Sequence, residues 1–340
     1  MTGGLRVLQA GPAMTVQDMG REGFLAYGLT RGGAADVLAL HEGAALLGQS
    51  AELATIEMVG LGGIFEATND TVIALTGAVM TATIDDVPVV WNASHNLPAG
   101  AKLSIGGMQS GTYGYLHVAG GFDTPVVMGA RSSHLKAGVG ALLQSGDEIP
   151  LGNPTGTQSG LIIEPIARFA GGEIRVVASV QTEQFSDDTR ARFETAAFTR
   201  DARGNRQGVR MEQDGEGFFA EGGLSIVSEV ISEGDIQVTG DGAPYVLMCE
   251  CQTTGGYPRI ATVIPADVPL VAQAGVGAPV SFRFVTLEDA RDIEVKHRAE
   301  IRALPGRVQP MVRALDDIAD LLSYQLISGA VSATADPFDI

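Results

Sequence analysis

The stretch Thr71-Val-Ile-Ala-Leu-Thr-Gly-Ala-Val79 decides the fold class. Its β-branched and apolar residues predict an extended strand, and Asp85-Asp86 predicts a turn into a second strand over Val87–Trp91. Residues of the same kind predict further short strands: Lys102–Ile105, Tyr113–Val118, Glu173–Ala178, Leu224–Val227, Asp235–Val238 and Tyr245–Cys251. Glycine pairs and Asp241-Gly242 between these runs predict breaks and a hairpin turn.

Helical patterns are few. Ala34–Leu47 is rich in Ala and Leu before Gly48, Ser186 is placed to N-cap a helix through Glu194, and Leu287–Leu304 has helical spacing. A further amphipathic helix is predicted over Arg313–Ile327. Many short strands with few helices predict a mainly β fold with barrels or sandwiches. The polar, turn-rich stretch Leu151–Gly160 marks the boundary, so we expect β-rich units over 1–155 and 156–286 and a helical tail over 287–340.

Composition excludes several classes of protein. The chain has 340 residues, of which 45% are hydrophobic and 18% charged, with 40 acidic against 22 basic residues and a net charge of −18. Such an acid excess repels nucleic acid and anionic membrane surfaces. No apolar run is long enough to span a membrane, and the first residues lack the apolar core of a signal peptide. We therefore expect a cytoplasmic protein.

Residues that carry familiar chemistry are scarce. The three lysines, Lys102, Lys136 and Lys296, neither follow a glycine nor have a methionine beside them, so the chain has no P-loop and no biotin-carrier lysine. The sequence contains no His-Glu-x-x-His and no Gly-x-Ser-x-Gly motif. Cys249 and Cys251 have no histidine nearby to complete a zinc site, so they are interpreted as buried apolar residues of one strand and no metal is expected.

Four glycine-flanked segments combine arginine, amide and hydroxyl groups in the manner of binding loops. Arginine forks suit carboxylates and phosphates, so these loops indicate an anionic or carboxylated small ligand. The alternative is that the arginines pair with the many acids and only tie the loops together. The segments are Met14–Phe24, Gly129–Gly138, Gly204–Arg210 and Glu250–Pro258.

These segments, in this order, resemble the family described as the C subunit of 5-oxoprolinase, allophanate hydrolase subunit 2 and biotin-dependent carboxyltransferase domain. The family includes the carboxyltransferase part of urea amidolyase and the Kip antagonist of sporulation control. Thr15-Val-Gln-Asp-x-Gly-Arg21 and Gln252-Thr-Thr-Gly-Gly-Tyr-Pro258 carry the resemblance, which covers Leu5–Val285. The chain departs from the family pattern at Arg31–Asp36 and at Ser179-Val-Gln181.

The resemblance implies two β-rich subdomains, at least one of them a cyclophilin-like barrel. It also implies a hetero-oligomer with two partners, a homologous B subunit plus an A subunit. Its first implied activity is ATP-dependent hydrolysis of the cyclic amide 5-oxoproline to glutamate, with the lactam activated by phosphorylation and ATP bound elsewhere in the complex. A second is biotin-dependent carboxyl transfer to urea or a related amide, with carboxybiotin carried by another chain. A third is non-enzymatic antagonism of a regulatory partner. Either enzyme takes a small amide or carboxylate substrate.

The resemblance also implies roles for individual residues. Asp18 or Glu229 would serve as general base. We expect these groups to share one pocket formed by both halves of the chain, and separate surfaces for Arg21, Arg131, Arg206 and Gln252 would contradict this. The substrate-binding set comprises Arg21, Arg131 and Arg206 for anionic groups, Gln17, Asn205, Gln252, Thr253 and Thr254 for an amide, and Ser132 and Tyr257 from the same motifs.

Overall fold

The computed structural model describes residues 3–154, 158–223 and 226–312. Its four α-helices are α1 Val37–Leu47, α2 Asp187–Thr195, α3 Val268–Gln273 and α4 Leu287–Ala303. Its strands are β1 Gly4–Gln9, β2 Met14–Gln17, β3 Thr55–Val59, β4 Ile64–Ala67, β5 Thr71–Ile84, β6 Val87–Pro88, β7 Ala93–Leu97, β8 Lys102–Val118, β9 Glu148–Pro150, β10 Leu161–Ile162, β11 Gly172–Val177, β12 Phe198–Arg200, β13 Gly208–Glu212, β14 Glu229–Val230, β15 Asp235–Val238, β16 Pro244–Leu247, β17 Thr254–Gly255, β18 Arg259–Val263, β19 Pro279–Phe284 and β20 Gln309–Pro310.

The first half of the chain forms an 11-stranded sheet around the long antiparallel pair β5 and β8. From one edge to the other the main path runs β20-β10-β7-β5-β8-β4-β1-β9, with β2, β3 and β6 attached beside it. Alternate residues of β4 are more deeply buried, as an apolar strand with one covered face requires. The helix α1 packs on β5, so its buried leucines cover part of this sheet.

The second half forms a closed seven-stranded barrel in the order β11-β18-β15-β16-β13-β12-β19. All its neighbouring strands are antiparallel except β11 and β19, which are parallel and close the barrel. Phe193 of α2 stacks on Phe282 with ring centroids 4.8 Å apart and meets Phe198 and Phe218 at steeper angles, so aromatic rings fill the space between α2 and the barrel. The β14–β17 pair stands apart as a two-stranded sheet.

One hydrophobic core continues from the barrel into the sheet. Ala39 of α1 and Tyr113 and Tyr115 of β8 belong to the same buried cluster as the barrel residues Val246 and Phe282. The chain also crosses back at its far end, because β20 pairs with β10 and Leu304 is buried against α1. The two halves therefore share both an apolar core and a sheet.

The mainly β fold with two β-rich units and a barrel is as the sequence predicts. Strands are confirmed near Thr71–Val79, Glu173–Ala178 and Asp235–Val238, and helices are confirmed at Ser186–Glu194 and Leu287–Leu304. Asp36 caps α1 through its side chain, so that helix begins at Val37 and not at Ala34. The Asp241-Gly242 hairpin is also confirmed, with Gly242 at positive φ.

Other predicted elements differ from the structure. Lys102–Ile105 and Tyr113–Val118 are parts of one strand, β8, in which the intervening glycines lie where the register with β5 shifts. The strand predicted over Val87–Trp91 ends at Pro88. The strand predicted to reach Cys251 ends at Leu247, because the Cys251 N–H donates to the Met248 carbonyl in a turn.

Some expectations stay predictions. The division at 155 and 286 is one of them, although β10 and β20 place residues from beyond both boundaries in the first sheet. The predicted helix Arg313–Ile327 lies outside the described residues, as does part of Leu224–Val227. None of the helices that the structure describes has the length and apolar character needed to cross a bilayer.

Candidate functional site

The four motif loops converge on the segment Thr30–Gly33, which we call the seam. The Gly32 N–H donates to the Cys249 carbonyl at 2.9 Å, and the Thr30 hydroxyl donates to the Cys251 carbonyl at 3.0 Å. His134, from the second motif loop, lies 3.0 Å from the same hydroxyl. The seam therefore joins loops from both halves of the chain.

Arg206 is a charged tie across the seam. Its Nε donates to Glu250 at 2.7 Å, its Nη1 to Glu57 of β3, and its Nη2 to the Gly33 carbonyl at 2.5 Å. Burial opposes the charge, but Cys249, Glu57 and Glu250 outweigh it and raise the pKa of Arg206 well above its ordinary value. All three guanidinium nitrogens of Arg206 thus bond groups of the protein itself. This agrees with the alternative interpretation of the arginine-rich loops, in which the arginines pair with acids and tie the loops together.

Arg21 is also buried, but unlike Arg206 it makes hydrogen bonds and no ion pair with the described residues. Its Nη2 donates to the Ser132 carbonyl at 2.5 Å and its Nε to the Val127 carbonyl at 3.4 Å, while Nη1 is buried without a partner in the described part of the chain. Burial lowers the pKa of Arg21, and Asp18 and Glu250 only partly oppose that. The Gln17 Oε1 and Ser132 Oγ atoms are likewise buried without such partners.

Asp18 organises this first half of the site. Its Oδ1 accepts the Gly20 N–H at 2.8 Å and its Oδ2 accepts the Arg131 N–H at 2.5 Å, so both carboxylate oxygens face backbone donors. The Arg131 side chain points away to a half-exposed partner, Asp123, at 2.6 Å. In this arrangement Asp18 joins the first and second motif loops, and its role as a general base stays a prediction.

Glu229 lies on the separate β14–β17 pair, opposite Gly255. Its Oε2 accepts from Gln181 at 2.7 Å and from Arg259 at 2.9 Å, and about half of its side chain is exposed. Gln181 in turn accepts from the Arg259 backbone N–H at 2.9 Å. Glu229 therefore anchors the strand pair that carries Thr254, and its role as a base also stays a prediction.

The remaining predicted residues of the fourth motif loop lie at or near the surface. Thr254 and Tyr257 are exposed and Thr253 is half-buried. The Thr253 carbonyl accepts the Ile231 N–H at 3.1 Å, which extends the pairing of β14 with β17 by one residue. Their roles in substrate binding stay predictions.

An open cavity of about 490 Å³ lies in the barrel wall, and we call it the amide-lined cavity. Ile231, Leu247 and Cys251, which pack as a small hydrophobic cluster, are among its lining residues. Four residues with side-chain amides also line this cavity, and each amide offers both a donor and an acceptor. These polar residues are Asn205, Gln207, Gln237 and Gln252, with Tyr245 and Arg203 beside them.

The predicted residues do not line a single cavity. Asn205 and Gln252 line the amide-lined cavity, Arg131 and Ser132 line another of about 260 Å³ in the first half, and Arg21 and Arg206 line neither. The expectation of one shared pocket is therefore wrong for these groups. Loops from both halves do meet, but they meet in a packed seam whose polar groups mostly bond one another.

Sequence reasoning missed the residues that hold the seam together. His134 lies in the second motif loop, but Thr30 and Glu57 lie outside all four, and each of the three bonds a partner at least 104 positions away in the chain. Gln237 and Tyr245 of the cavity lie on strands and carry no loop signal.

The two cysteines are buried and free, as the sequence predicts. Burial raises the pKa of Cys249 and of Cys251 to about 12. Neither is therefore a thiolate at neutral pH, and neither supplies a nucleophile.

Comparison with known proteins identifies the family. Residues 27–284, which contain the seam and the barrel, match the model of the carboxyltransferase domain, subdomain A and B. The chain belongs to this family. Two proteins described as the C subunit of 5-oxoprolinase are similar over most of their length. The protein of Haemophilus influenzae is 33% identical over 86% of this chain and 94% of its own, and that of Escherichia coli is 35% identical over 84% and 93%.

The fold is also that of a solved urea amidolyase. The crystal structure of the K. lactis urea amidolyase superposes with a TM-score of 0.79 at 22% identity, over 91% of this chain. The chain spans about a fifth of that much longer protein, with 21% of it covered. Within the residues that the structure describes, no three His, Cys, Asp or Glu side chains are grouped to hold a metal ion.

Proposed function

We propose that this carboxyltransferase-domain protein is the C subunit of an ATP-dependent 5-oxoprolinase and that it works with two partners, a homologous B subunit plus an A subunit. Two relatives that match most of its length bear the description of that enzyme's C subunit. The observation that carries the proposal is the amide-lined cavity, because the lactam of 5-oxoproline presents one N–H donor and one carbonyl acceptor, and its carboxylate accepts further N–H donors. Neutral side-chain amides and a small apolar cluster in one cavity match that pattern.

The chain's own residues would bind and orient the lactam in this cavity. Asn205 is held in place because its Oδ1 accepts the Gln207 N–H at 2.7 Å, which leaves its NH₂ group to donate. Gln252 is exposed at the rim, and its side chain makes no hydrogen bond with the described residues. A ring carbonyl between these amides would receive donors, and the ring N–H would find an amide oxygen.

The cavity does not fit a nucleotide triphosphate. Arg203 is the cation among its lining residues, and it already bonds Asp201 at 2.5 Å and Glu212 at 2.9 Å. A triphosphate carries several negative charges and needs a cradle of unpaired donors. We therefore assign ATP to a partner chain of the complex.

The experiment reconstitutes the chain with these two partners and measures ATP-dependent release of glutamate from 5-oxoproline. We expect turnover only with all three chains, and Gln252→Ala should raise KM for 5-oxoproline about tenfold, the loss of one substrate hydrogen bond. Gln144→Ala changes an exposed glutamine that does not line the cavity and is the matched control. Absence of turnover with all three chains, or equal effects of both variants, would contradict the proposal.

A biotin-dependent carboxyltransferase is the second candidate, because the matching family model describes a carboxyltransferase domain. The ureido ring of biotin offers the same alternation of N–H and carbonyl groups as a lactam, so the amide-lined cavity suits it too. Bicarbonate-dependent turnover of urea that avidin abolishes would favour this function. Binding of a regulatory protein with neither activity would favour the third alternative, an antagonist.

A further inference from the structure

A chain of three hydrogen bonds crosses the seam and ends at the edge of the amide-lined cavity. It begins at the Ala137 N–H, which makes a bifurcated hydrogen bond to two atoms of His134. The acceptors are Nδ1 at 3.3 Å and the backbone carbonyl oxygen at 3.1 Å. It continues from His134 Nε2 to the Thr30 hydroxyl at 3.0 Å and from that hydroxyl to the Cys251 carbonyl at 3.0 Å. Cys251 lines the cavity, and the next residue is Gln252.

The donor and acceptor roles in this series of hydrogen bonds are fixed at both ends. A backbone N–H can only donate, so the His134 Nδ1 that faces Ala137 must be the unprotonated nitrogen of a neutral ring. Nε2 then carries the proton and donates to Thr30. At the other end the Cys251 carbonyl can only accept, so the single hydroxyl proton of Thr30 must point to it.

The surroundings leave the ring little freedom. His134 and Thr30 are buried, and a Cβ on Gly32 would lie 3.1 Å from His134 Cδ2, so glycine at position 32 accommodates this ring without displacement. Gly32 also has φ +61°, which disfavours other residues. Burial lowers the pKa of His134 although Glu250 opposes this, and that agrees with the neutral ring.

We propose that Thr30 and His134 are positioning residues that hold the Cys251–Gln252 edge of the amide-lined cavity in its binding geometry. Neither residue lines the cavity. They act through the Cys251 carbonyl, and no other side-chain hydrogen bond from the described residues reaches that carbonyl. The consequence for substrate affinity rests on the proposed function, whereas the consequence for the loop does not.

The protein contains a matched internal control. His117 Nε2 lies 2.8 Å from the Thr76 hydroxyl, which donates to the Ala39 carbonyl at 2.9 Å, so the same His–Thr–carbonyl arrangement occurs within the first half of the chain. Thr30→Val and Thr76→Val each delete one buried hydroxyl between a histidine and a carbonyl. Both variants should lose stability, but only Thr30→Val should release the loop after Cys251.

The first test is amide hydrogen exchange on the full chain. The Glu250 and Cys251 N–H groups donate to the Arg206 and Met248 carbonyls and report on this loop. We expect about tenfold faster exchange at these amides in Thr30→Val, equivalent to about 1.4 kcal/mol of local opening, and little change in Thr76→Val. Thr30→Ser keeps the hydroxyl and should restore protection. Unchanged exchange in Thr30→Val, or equal acceleration in Thr76→Val, would overturn the proposal.

The second test uses the reconstituted complex. Thr30→Val should raise KM for 5-oxoproline about tenfold with kcat nearly unchanged, and Thr30→Ser should recover most of the affinity. A fall in kcat at constant KM in Thr30→Val would contradict positioning of the binding edge. If the wild-type complex does not turn over 5-oxoproline, the proposed function fails, and the exchange experiment still decides whether Thr30 holds the loop.

Discussion

Removal of the Arg206 guanidinium should destabilise the contact between the two halves of the molecule. In Arg206→Met the apolar part of the side chain is kept, but Glu57 and Glu250 lose their cation while only 1% and 3% of their side chains are exposed. Removing one partner of a buried ion pair typically costs about 3–5 kcal/mol, because the other charge stays buried and unpaired. That is a large part of the roughly 5–15 kcal/mol that stabilises a folded domain.

The loss is measured as the change in urea midpoint and in Tm, for which about 3–5 kcal/mol corresponds to a fall of roughly 4–7 °C in a protein of this size. Arg283→Met is the matched control, because Arg283 pairs with Glu173 at the surface with both side chains about half exposed. Exposed pairs contribute about 0–1 kcal/mol. Arg283→Met should therefore be nearly as stable as the wild type.

A double variant tests the reason for the loss. Glu57→Gln added to Arg206→Met removes one of the stranded charges, while a glutamine oxygen can still accept from Ala35 and Tyr115 as Glu57 does. We expect the double variant to recover about 1 kcal/mol or more relative to Arg206→Met. A loss below about 1 kcal/mol in Arg206→Met, or no recovery in the double variant, would refute the reasoning.

Two further predictions concern acid stability and the cavity wall. Burial lowers the pKa of His117 to about 3, so the unfolded chain binds a proton at this residue that the folded chain does not, and stability must fall as pH drops below the ordinary value of 6.5. Between about pH 7.5 and 4.5 this group should lower the free energy of unfolding of the wild type by roughly 2–3 kcal/mol, and urea titrations should show a shallower fall in His117→Gln. Equal slopes in the two proteins would contradict this prediction. A Cβ at position 255 would lie 2.4 Å from Gln237 Nε2 and 2.9 Å from Ile231 Cδ1, so Gly255→Ala should displace these two side chains of the cavity wall and weaken 5-oxoproline binding severalfold. Calorimetry on the isolated chain would check this, and unchanged affinity would contradict a role for this part of the wall.

Local sequence patterns predict a strand where its own side chains favour an extended backbone. Thr71–Val79 and Asp235–Val238 are β-branched runs between turns, and both are strands. The long strand β8 could not be predicted as one element, because its glycines suggest a break when taken alone. In the sheet, Gly77 at φ +73° and Gly111 at φ +87° lie at the register shifts between β5 and β8, where a bulge requires them. Only the pairing with the partner strand shows whether such a glycine marks a bulge within a strand or the end of that strand.

The candidate site is predictable in its loops but not in its contacts. Motif residues identify the loops that meet, and the structure brings all four to the seam. The pairing of Arg206 with Glu57 joins residues 149 positions apart, and that of Thr30 with Cys251 joins residues 221 apart. No local pattern specifies such pairs. The sequence therefore leaves ligand binding and internal pairing as alternatives for each arginine, and the structure assigns Arg206 to internal pairing.

The return of the chain from the barrel to the first sheet has a consequence for synthesis. β10 precedes the barrel, but its edge partner β20 follows it, and Leu304 must also arrive before the cluster against α1 is complete. During translation, the sheet therefore has one unpaired edge and one uncovered apolar patch until the whole barrel has been synthesised. Over that interval the nascent protein depends on rapid closure of the barrel, or on a chaperone, to avoid pairing that edge with a neighbouring chain.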